Sequence, residues 1–144
     1  MSIIEAMVAL LGGRALLRTS VRRDADLERI IVSGLPAEAV RHLAESTGTT
    51  LTQLQDVTLI DRSTFSRRIK QHARLKADES DRVARVARLA ALAIEALGKD
   101  AALRWLREPN AALGRRVPLG MLGTDAGARQ VEQIIGRIEH GVFS

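Results

Sequence analysis

The most concentrated basic charge in the sequence lies in a short segment near its middle. Between residues 62 and 76 there is no Asp or Glu, and the basic residues are Arg62, Arg67, Arg68, Lys70, Arg74 and Lys76. Hydroxyl groups are interleaved with them at Ser63, Thr64 and Ser66. Guanidinium groups can donate two hydrogen bonds to one guanine, and ammonium and hydroxyl groups can bind phosphate oxygens. These residue types favour contact with a polyanion, of which nucleic acid is the commonest.

This segment coincides with the second of two short predicted helices, Leu51–Val57 and Arg62–Gln71. Phe65 and Ile69 are spaced to pack the second helix on a core, and Asp61 is a favourable N-cap residue. The arrangement resembles a helix-turn-helix, whose second helix enters the major groove. We predict that its N-terminal residues contact bases, namely Arg62, Ser63, Thr64, Ser66 and Arg67. The residues predicted to contact phosphate are Arg68 and Lys70.

The alternative interpretation is that these charges form only the solvated face of a helix, as most charge runs do. The paired short helices, the N-cap and the missing acids favour DNA binding over it. A second set of arginines recurs every three residues on the next helix, at Arg82, Arg85 and Arg88. That set could extend a phosphate-binding surface, but the nearby acids Asp78, Glu79 and Asp81 favour an exposed amphipathic face.

Composition gives little support to an enzyme. The 144 residues include no cysteine, which excludes disulfides, thiolate nucleophiles and Cys-ligated zinc. The three histidines, His42, His72 and His140, show no metal-ligand spacing, and no nucleophile has an evident base. We expect no catalysis and no cofactor. No apolar run approaches the ~20 residues of a membrane span, so we expect a cytoplasmic protein. Its net charge of +5 suits a polyanionic partner.

The periodicity predicts an all-α fold, because apolar residues recur at helical spacing and no segment alternates with period two. We predict a long helix with Ser80 as its cap that ends at Gly98, a helix capped by Asp100, and a last helix capped by Thr124. Three regions follow: an N-terminal segment over 1–25, a helix-turn-helix region over 26–98 and a C-terminal region over 99–144. The N-terminal apolar face could form a dimer contact or cover its own core; it comprises Ile3, Ile4, Met7, Val8 and Leu11.

The C-terminal region carries an ordered pattern that begins at Trp105-Leu106 and reads WLREPNAALGRRVPLGMLGTDAGARQVEQIIGRIEHGVF. This pattern resembles the toxin-binding domain of Xre/MbcA/ParS-type antitoxins: W-L, P-N-x-x-L-G, P-L, T-x-x-G, V-x-x-x-I/L and a terminal G. The basic helix and the long helix after it resemble the Xre-like region of the same proteins. Gly120 departs mildly from the pattern, at a position that often holds a polar residue. Trp105 is expected to anchor the core, and Gly127 and Gly136 suggest close approaches to the last helix.

The resemblance implies an antitoxin that binds a cognate toxin of the RES type, which depletes NAD, and that represses their shared operon. An exposed Phe after the helix stop at Gly141 is costly unless it is covered, which suits a docking tail. The predicted toxin-binding residues are Arg137, Glu139, His140, Val142, Phe143 and Ser144. Operator DNA is the second expected partner, and paired half-sites imply a homodimer.

Three alternatives to this interpretation remain open. Val142 and Phe143 could fold back onto their own core instead of docking. The chain could be a stand-alone helix-turn-helix regulator whose C-terminal region only dimerises. It could also be a protein-interaction module that has lost DNA binding, in which case the salt dependence typical of phosphate contacts would be missing.

Overall fold

The computed structural model describes residues 1–141. It confirms the all-α prediction: within these residues there are nine α-helices, two 3-10 helices and no sheet. The α-helices are α1 (Ile3–Leu10), α2 (Gly13–Leu17), α3 (Asp24–Ser33), α4 (Glu38–Thr47), α5 (Leu51–Thr58), α6 (Arg62–Lys70), α7 (Ala77–Leu97), α8 (Lys99–Arg107) and α9 (Asp125–Glu139). The 3-10 helices are Ala111–Leu113 and Pro118–Met121.

The long helix α7 lies at the centre of the fold and packs against α1, α3, α8 and α9. Its inward positions alternate larger residues such as Val83 and Leu89 with alanines such as Ala87 and Ala93, all almost fully buried. Small alanines allow neighbouring helices to approach closely, while the branched residues fill the space between them. One helix therefore supplies core residues to most of the molecule.

A single hydrophobic core runs through the three regions distinguished in the sequence. Met7 of α1 and Leu11, its C-cap residue, are buried in it, so the N-terminal helix covers its own core. Its outer residues Ile3 and Ile4 are half-buried. Trp105 is also half-buried and packs at the edge of the core rather than at its centre. The boundaries 1–25, 26–98 and 99–144 stay a prediction about function, since the regions share one core.

The predicted start of the long helix was wrong. α7 begins at Ala77 with Lys76 at the N-cap, so Ser80 lies inside the first turns and is completely buried. Its Oγ atom accepts a hydrogen bond of 2.8 Å from the backbone N–H of Leu35. Ser80 looked like a cap because local sequence cannot show that its hydroxyl group is used by a distant chain segment. In the same way α8 starts at Lys99, with Gly98 rather than Asp100 at the cap position.

The chain segments that follow α3 and α6 are joined by a short antiparallel bridge. The N–H of Leu75 donates to the carbonyl of Leu35 at 2.7 Å, and the N–H of Ala37 donates to the carbonyl of Ala73 at 3.1 Å. Gly34, at φ +98°, makes this approach possible, because a Cβ atom there would lie 2.2 Å from the carbonyl oxygen of Leu75. The bridge fixes the exit of α6.

None of the helices in the described part of the chain is long and apolar enough to cross a membrane.

Candidate nucleic-acid interface

Helices α5 and α6 form the pair that the sequence predicted, joined by a tight turn. Thr50 caps α5 by accepting from the N–H of Gln53 at 3.1 Å, and the Gln53 side chain accepts from the N–H of Thr50 at 3.0 Å. Leu59 takes the left-handed conformation at φ +57° and turns the chain toward Asp61. Leu54 and Phe65 are buried on the two helices. Helices α5 and α6 therefore pack on the same hydrophobic core, and the opposite side of α6 faces solvent.

The solvent-facing side of α6 carries most of the residues predicted to contact DNA. The exposed ones are Arg62, Ser63, Ser66, Arg67 and Lys70, and Thr64 is half-buried. Ser63, Arg67 and Lys70 lie one turn apart on the face opposite Phe65 and Ile69, and Arg62 and Ser66 border that face. The structure thus brings cationic and hydroxyl groups together on an accessible ridge, which is the arrangement needed to reach base edges and phosphates.

The N-terminus of α6 is set by Asp61, whose carboxylate accepts a hydrogen bond from the Ser63 hydroxyl at 2.6 Å and from the N–H of Thr64 at 3.1 Å. The hydroxyl bond, followed by the backbone bond, holds the pKa of Asp61 below its usual range. Arg62 forms an exposed ion pair with Asp56 at 3.4 Å. Exposed pairs contribute little net stability, so Arg62 can exchange this partner for another anion.

Arg68, predicted to contact phosphate, is buried, and that prediction was wrong. Its side chain is about 10% exposed, and its Nη1 atom donates to the carboxylate of Glu79, which is equally buried. The same carboxylate accepts from the N–H of Lys76 at 2.8 Å and so caps α7. Arg68 is therefore an internal tie between α6 and α7. The sequence held no local signal for this role, because Glu79 looked like one of several acids in a capping segment.

The prediction of an exposed arginine face on α7 was wrong for Arg82 and Arg85, whereas Arg88 is exposed. Arg82 donates from Nε to the carbonyl of Thr58 at 2.6 Å, and Arg85 donates from Nη1 to the carbonyl of Leu122 at 3.3 Å. Both are mostly buried and also pair with acids one turn earlier. Arg88 grips Glu132 of α9 through two bonds of 2.6 and 3.2 Å. This bidentate bond lowers the pKa of Glu132 and raises the pKa of Arg88.

The C-terminal helix α9 presents part of the second predicted site. Thr124 caps it as predicted, accepting from the N–H of Gly127 at 3.0 Å. Gly127 is a true close approach, since a Cβ atom there would lie 2.0 Å from the carbonyl oxygen of Met121, whereas Gly136 faces open space. The remaining predicted residues of this helix end are exposed: Arg137, Glu139 and His140. Val142, Phe143 and Ser144 lie outside the described residues.

Comparison with known proteins matches both halves of the chain to described families. Residues 26–88 match the "Antitoxin Xre-like helix-turn-helix domain" and residues 92–141 match the "Antitoxin Xre/MbcA/ParS C-terminal toxin-binding domain". The first match contains α5 and α6, and the second contains α8 and α9.

Three curated proteins, each named Antitoxin Xre, are similar to the chain. The one from Photorhabdus laumondii is 34% identical over 82% of this chain and 81% of its own length. The one from Pseudomonas putida is 32% identical over 82% of this chain and 74% of its own length. The one from Yersinia enterocolitica is 39% identical over 56% of this chain and 55% of its own length.

Proposed function

Because the chain belongs to the Xre family of antitoxins, we propose that it neutralises a cognate RES-type toxin and represses the operon that encodes the pair. It binds the toxin directly, blocks its active site and so prevents the depletion of NAD. The RES type of the partner rests on the resemblance of the C-terminal pattern to Xre/MbcA/ParS antitoxins. Because a toxin that depletes NAD and the operon DNA are both cytoplasmic, the chain acts in the cytoplasm. This role needs neither catalysis nor a cofactor.

The observation that supports DNA binding is the exposed ridge of α6, fixed by Phe65 on one side and by the Asp61 cap at its start. Arg62 and Arg67 are exposed on this ridge. If each reads a guanine, Arg62→Ala and Arg67→Ala lose about 1–3 kcal/mol of binding to the protein's own promoter region. Arg104→Ala, which removes an exposed arginine from α8, serves as the control. Unchanged promoter affinity in both ridge variants would refute the assignment.

Support for toxin binding comes from the match of α8 and α9 to a toxin-binding domain and from the polar end of α9. Co-expression with the product of the neighbouring gene tests it, with growth, cellular NAD and co-purification followed together. We expect the neighbour alone to deplete NAD and this chain to bind it and restore growth. A harmless neighbour that does not co-purify would leave the alternative, a regulator with a C-terminal dimerisation region.

Deleting Val142–Ser144 tests whether the chain end docks into the toxin. Loss of neutralisation with an unchanged melting temperature is the expected result, because a docking tail contributes nothing to the fold of the free protein. A collapse of the melting temperature would instead mean that these residues pack on their own core. Arg137→Ala gives a second variant, at an exposed position on the same helix end.

We propose a homodimer formed through a groove of about 390 Å³ between α1, α3 and α7. Its apolar lining includes Ile3, Ile4 and Leu27, and its charged lining residues are Arg22, Asp24 and Arg88, of which Arg88 is paired with Glu132. A surface that carries both Arg22 and Asp24 can pair with itself across a two-fold axis. Ile4→Glu should therefore lower the molar mass measured by light scattering, while Val32→Glu, at a residue 70% exposed on α3, should not. A monomeric wild type, or a dimer that Ile4→Glu leaves intact, would refute this interface.

A further inference from the structure

The exit of α6 borders a cleft of about 210 Å³ that separates it from α2 and from the start of α4. Three exposed basic side chains line this cleft from two different elements. Arg18 follows the last residue of α2, and His72 and Arg74 follow α6. Arg18 and Arg74 also line the adjoining cleft beside α3. Positive charge therefore continues past the end of the basic helix, onto residues that precede the helix-turn-helix region.

The other charged groups of the cleft are already paired. Arg68 forms a buried ion pair with Glu79, so its charge is not accessible in the cleft. Glu38, the one acid in the lining, forms an ion pair with Arg41 at 3.5 Å. The accessible charge of this cleft is therefore that of Arg18 and Arg74, and the acid of the adjoining cleft, Asp26, is paired with Arg29.

Both arginines are attached to fixed parts of the backbone. Arg18 sits in the left-handed conformation at φ +59°, between the buried residues Leu17 and Val21. Arg74 donates from Nη1 to the carbonyl of Gly34 at 2.8 Å and takes part in the antiparallel bridge with Pro36. Anchored cations lose less freedom on binding an anion than cations on mobile segments.

We propose that Arg18 and Arg74 bind a phosphate of the DNA backbone just beyond the C-terminal end of α6, an inference that rests on the proposed DNA binding. α6 has nine residues and is about 13 Å long, close to the ~12 Å width of the major groove. Side chains beyond the end of α6 would therefore lie near the sugar-phosphate backbone rather than near base edges. A contact of this kind adds affinity and fixes orientation without reading sequence.

The test measures binding of two labelled duplexes over a range of KCl concentrations, one from the protein's own promoter region and one of scrambled sequence. Arg18→Gln should weaken both to the same extent and reduce the slope of log affinity against log salt by about 0.9, the value for one phosphate contact. Arg18→Lys should restore the slope because it restores the charge. Arg104→Gln is the matched control on α8 and should behave as wild type. Arg67→Ala should lower the preference for the promoter duplex instead.

Three outcomes would overturn the inference. If Arg18→Gln has the slope of Arg104→Gln while Arg67→Ala still loses promoter preference, DNA binding stands and the Arg18 contact does not exist. If the wild type binds neither duplex, both proposals fail together. If inorganic phosphate raises the melting temperature of the wild type but not of Arg18→Gln, and the DNA slopes coincide, the cleft binds a small anion rather than DNA.

Discussion

Removing one partner of the Arg68–Glu79 pair should destabilise the protein strongly without changing the exposed ridge of α6. Both side chains are about 10% exposed, so Arg68→Ala leaves a buried carboxylate with no counter-charge. Breaking such a pair costs about 3–5 kcal/mol, a large part of the ~5–15 kcal/mol that stabilises a typical domain. For 144 residues, the unfolding entropy converts this loss into a fall in melting temperature of about 10–16 °C.

The assay is urea unfolding followed by far-UV circular dichroism, with Arg67→Ala as the matched control on the same helix. Arg67 is exposed, so its replacement should change the free energy of unfolding by less than about 0.5 kcal/mol. The double variant Arg68→Met with Glu79→Gln should be more stable than Arg68→Met alone. It removes both charges and keeps an acceptor for the N–H of Lys76. A double-mutant cycle then isolates the interaction between the two side chains.

Unfolding of Arg68→Ala at the same urea concentration as Arg67→Ala would show that the Arg68–Glu79 pair does not stabilise the fold. A variant that kept its full stability and lost promoter affinity would restore Arg68 to the role of a phosphate contact. Affinity should therefore be measured at a temperature where Arg68→Ala is still fully folded, since a partly unfolded sample would imitate that result.

Two further predictions concern α9. Gly127→Ala should destabilise the fold despite the better helix propensity of alanine, because the new Cβ atom would lie 2.0 Å from the carbonyl oxygen of Met121. Position 136 faces open space, so Gly136→Ala should instead stabilise the fold by up to about 1 kcal/mol. Thermal melts in which both variants shift the melting temperature in the same direction would contradict this packing. Glu132→Gln should lower stability at neutral pH by no more than about 1 kcal/mol, because the bond to Arg88 is half-exposed. Since that bond lowers the native pKa of Glu132, its contribution is present above the ordinary pKa of glutamate, about 4.3, and is lost as the pH falls through the lowered native pKa. The free energies of unfolding of wild type and variant, measured by urea titration, should therefore converge as the pH falls from neutral to acid. A difference that stays constant with pH would exclude this linkage.

Local features of the fold could be predicted from the sequence. The pair α5 and α6 was predicted within a residue or two of its observed bounds, because the Asp61 cap and the Phe65 and Ile69 spacing are signals within one helix. Thr124 was identified as a cap for the same reason. Such signals depend on residues within a few positions of one another, so they can be identified without knowing the tertiary structure.

Features that depend on a distant partner could not be predicted. Arg68 looks like Arg67 in the sequence, and only the arrival of Glu79, eleven residues later, decides that one is buried and the other exposed. Ser80 gave the signal of a helix cap, yet its hydroxyl group binds a backbone N–H forty-five residues away. A charge pattern thus identifies the basic helix but does not say which of its charges are available to a ligand.

The central position of α7 limits how new partner specificity could arise by recombination. Most of α7 precedes the toxin-binding domain match at residues 92–141, yet the helix packs on α9. Its Arg88 binds Glu132, and its Arg85 binds the carbonyl of Leu122. A chimera that takes residues 99–144 from a relative would set foreign side chains against a native α7. A functional chimera should therefore also take from the relative the face of α7 that contacts α9. We expect the residues of that face and residues 99–144 to change together when the toxin partner changes.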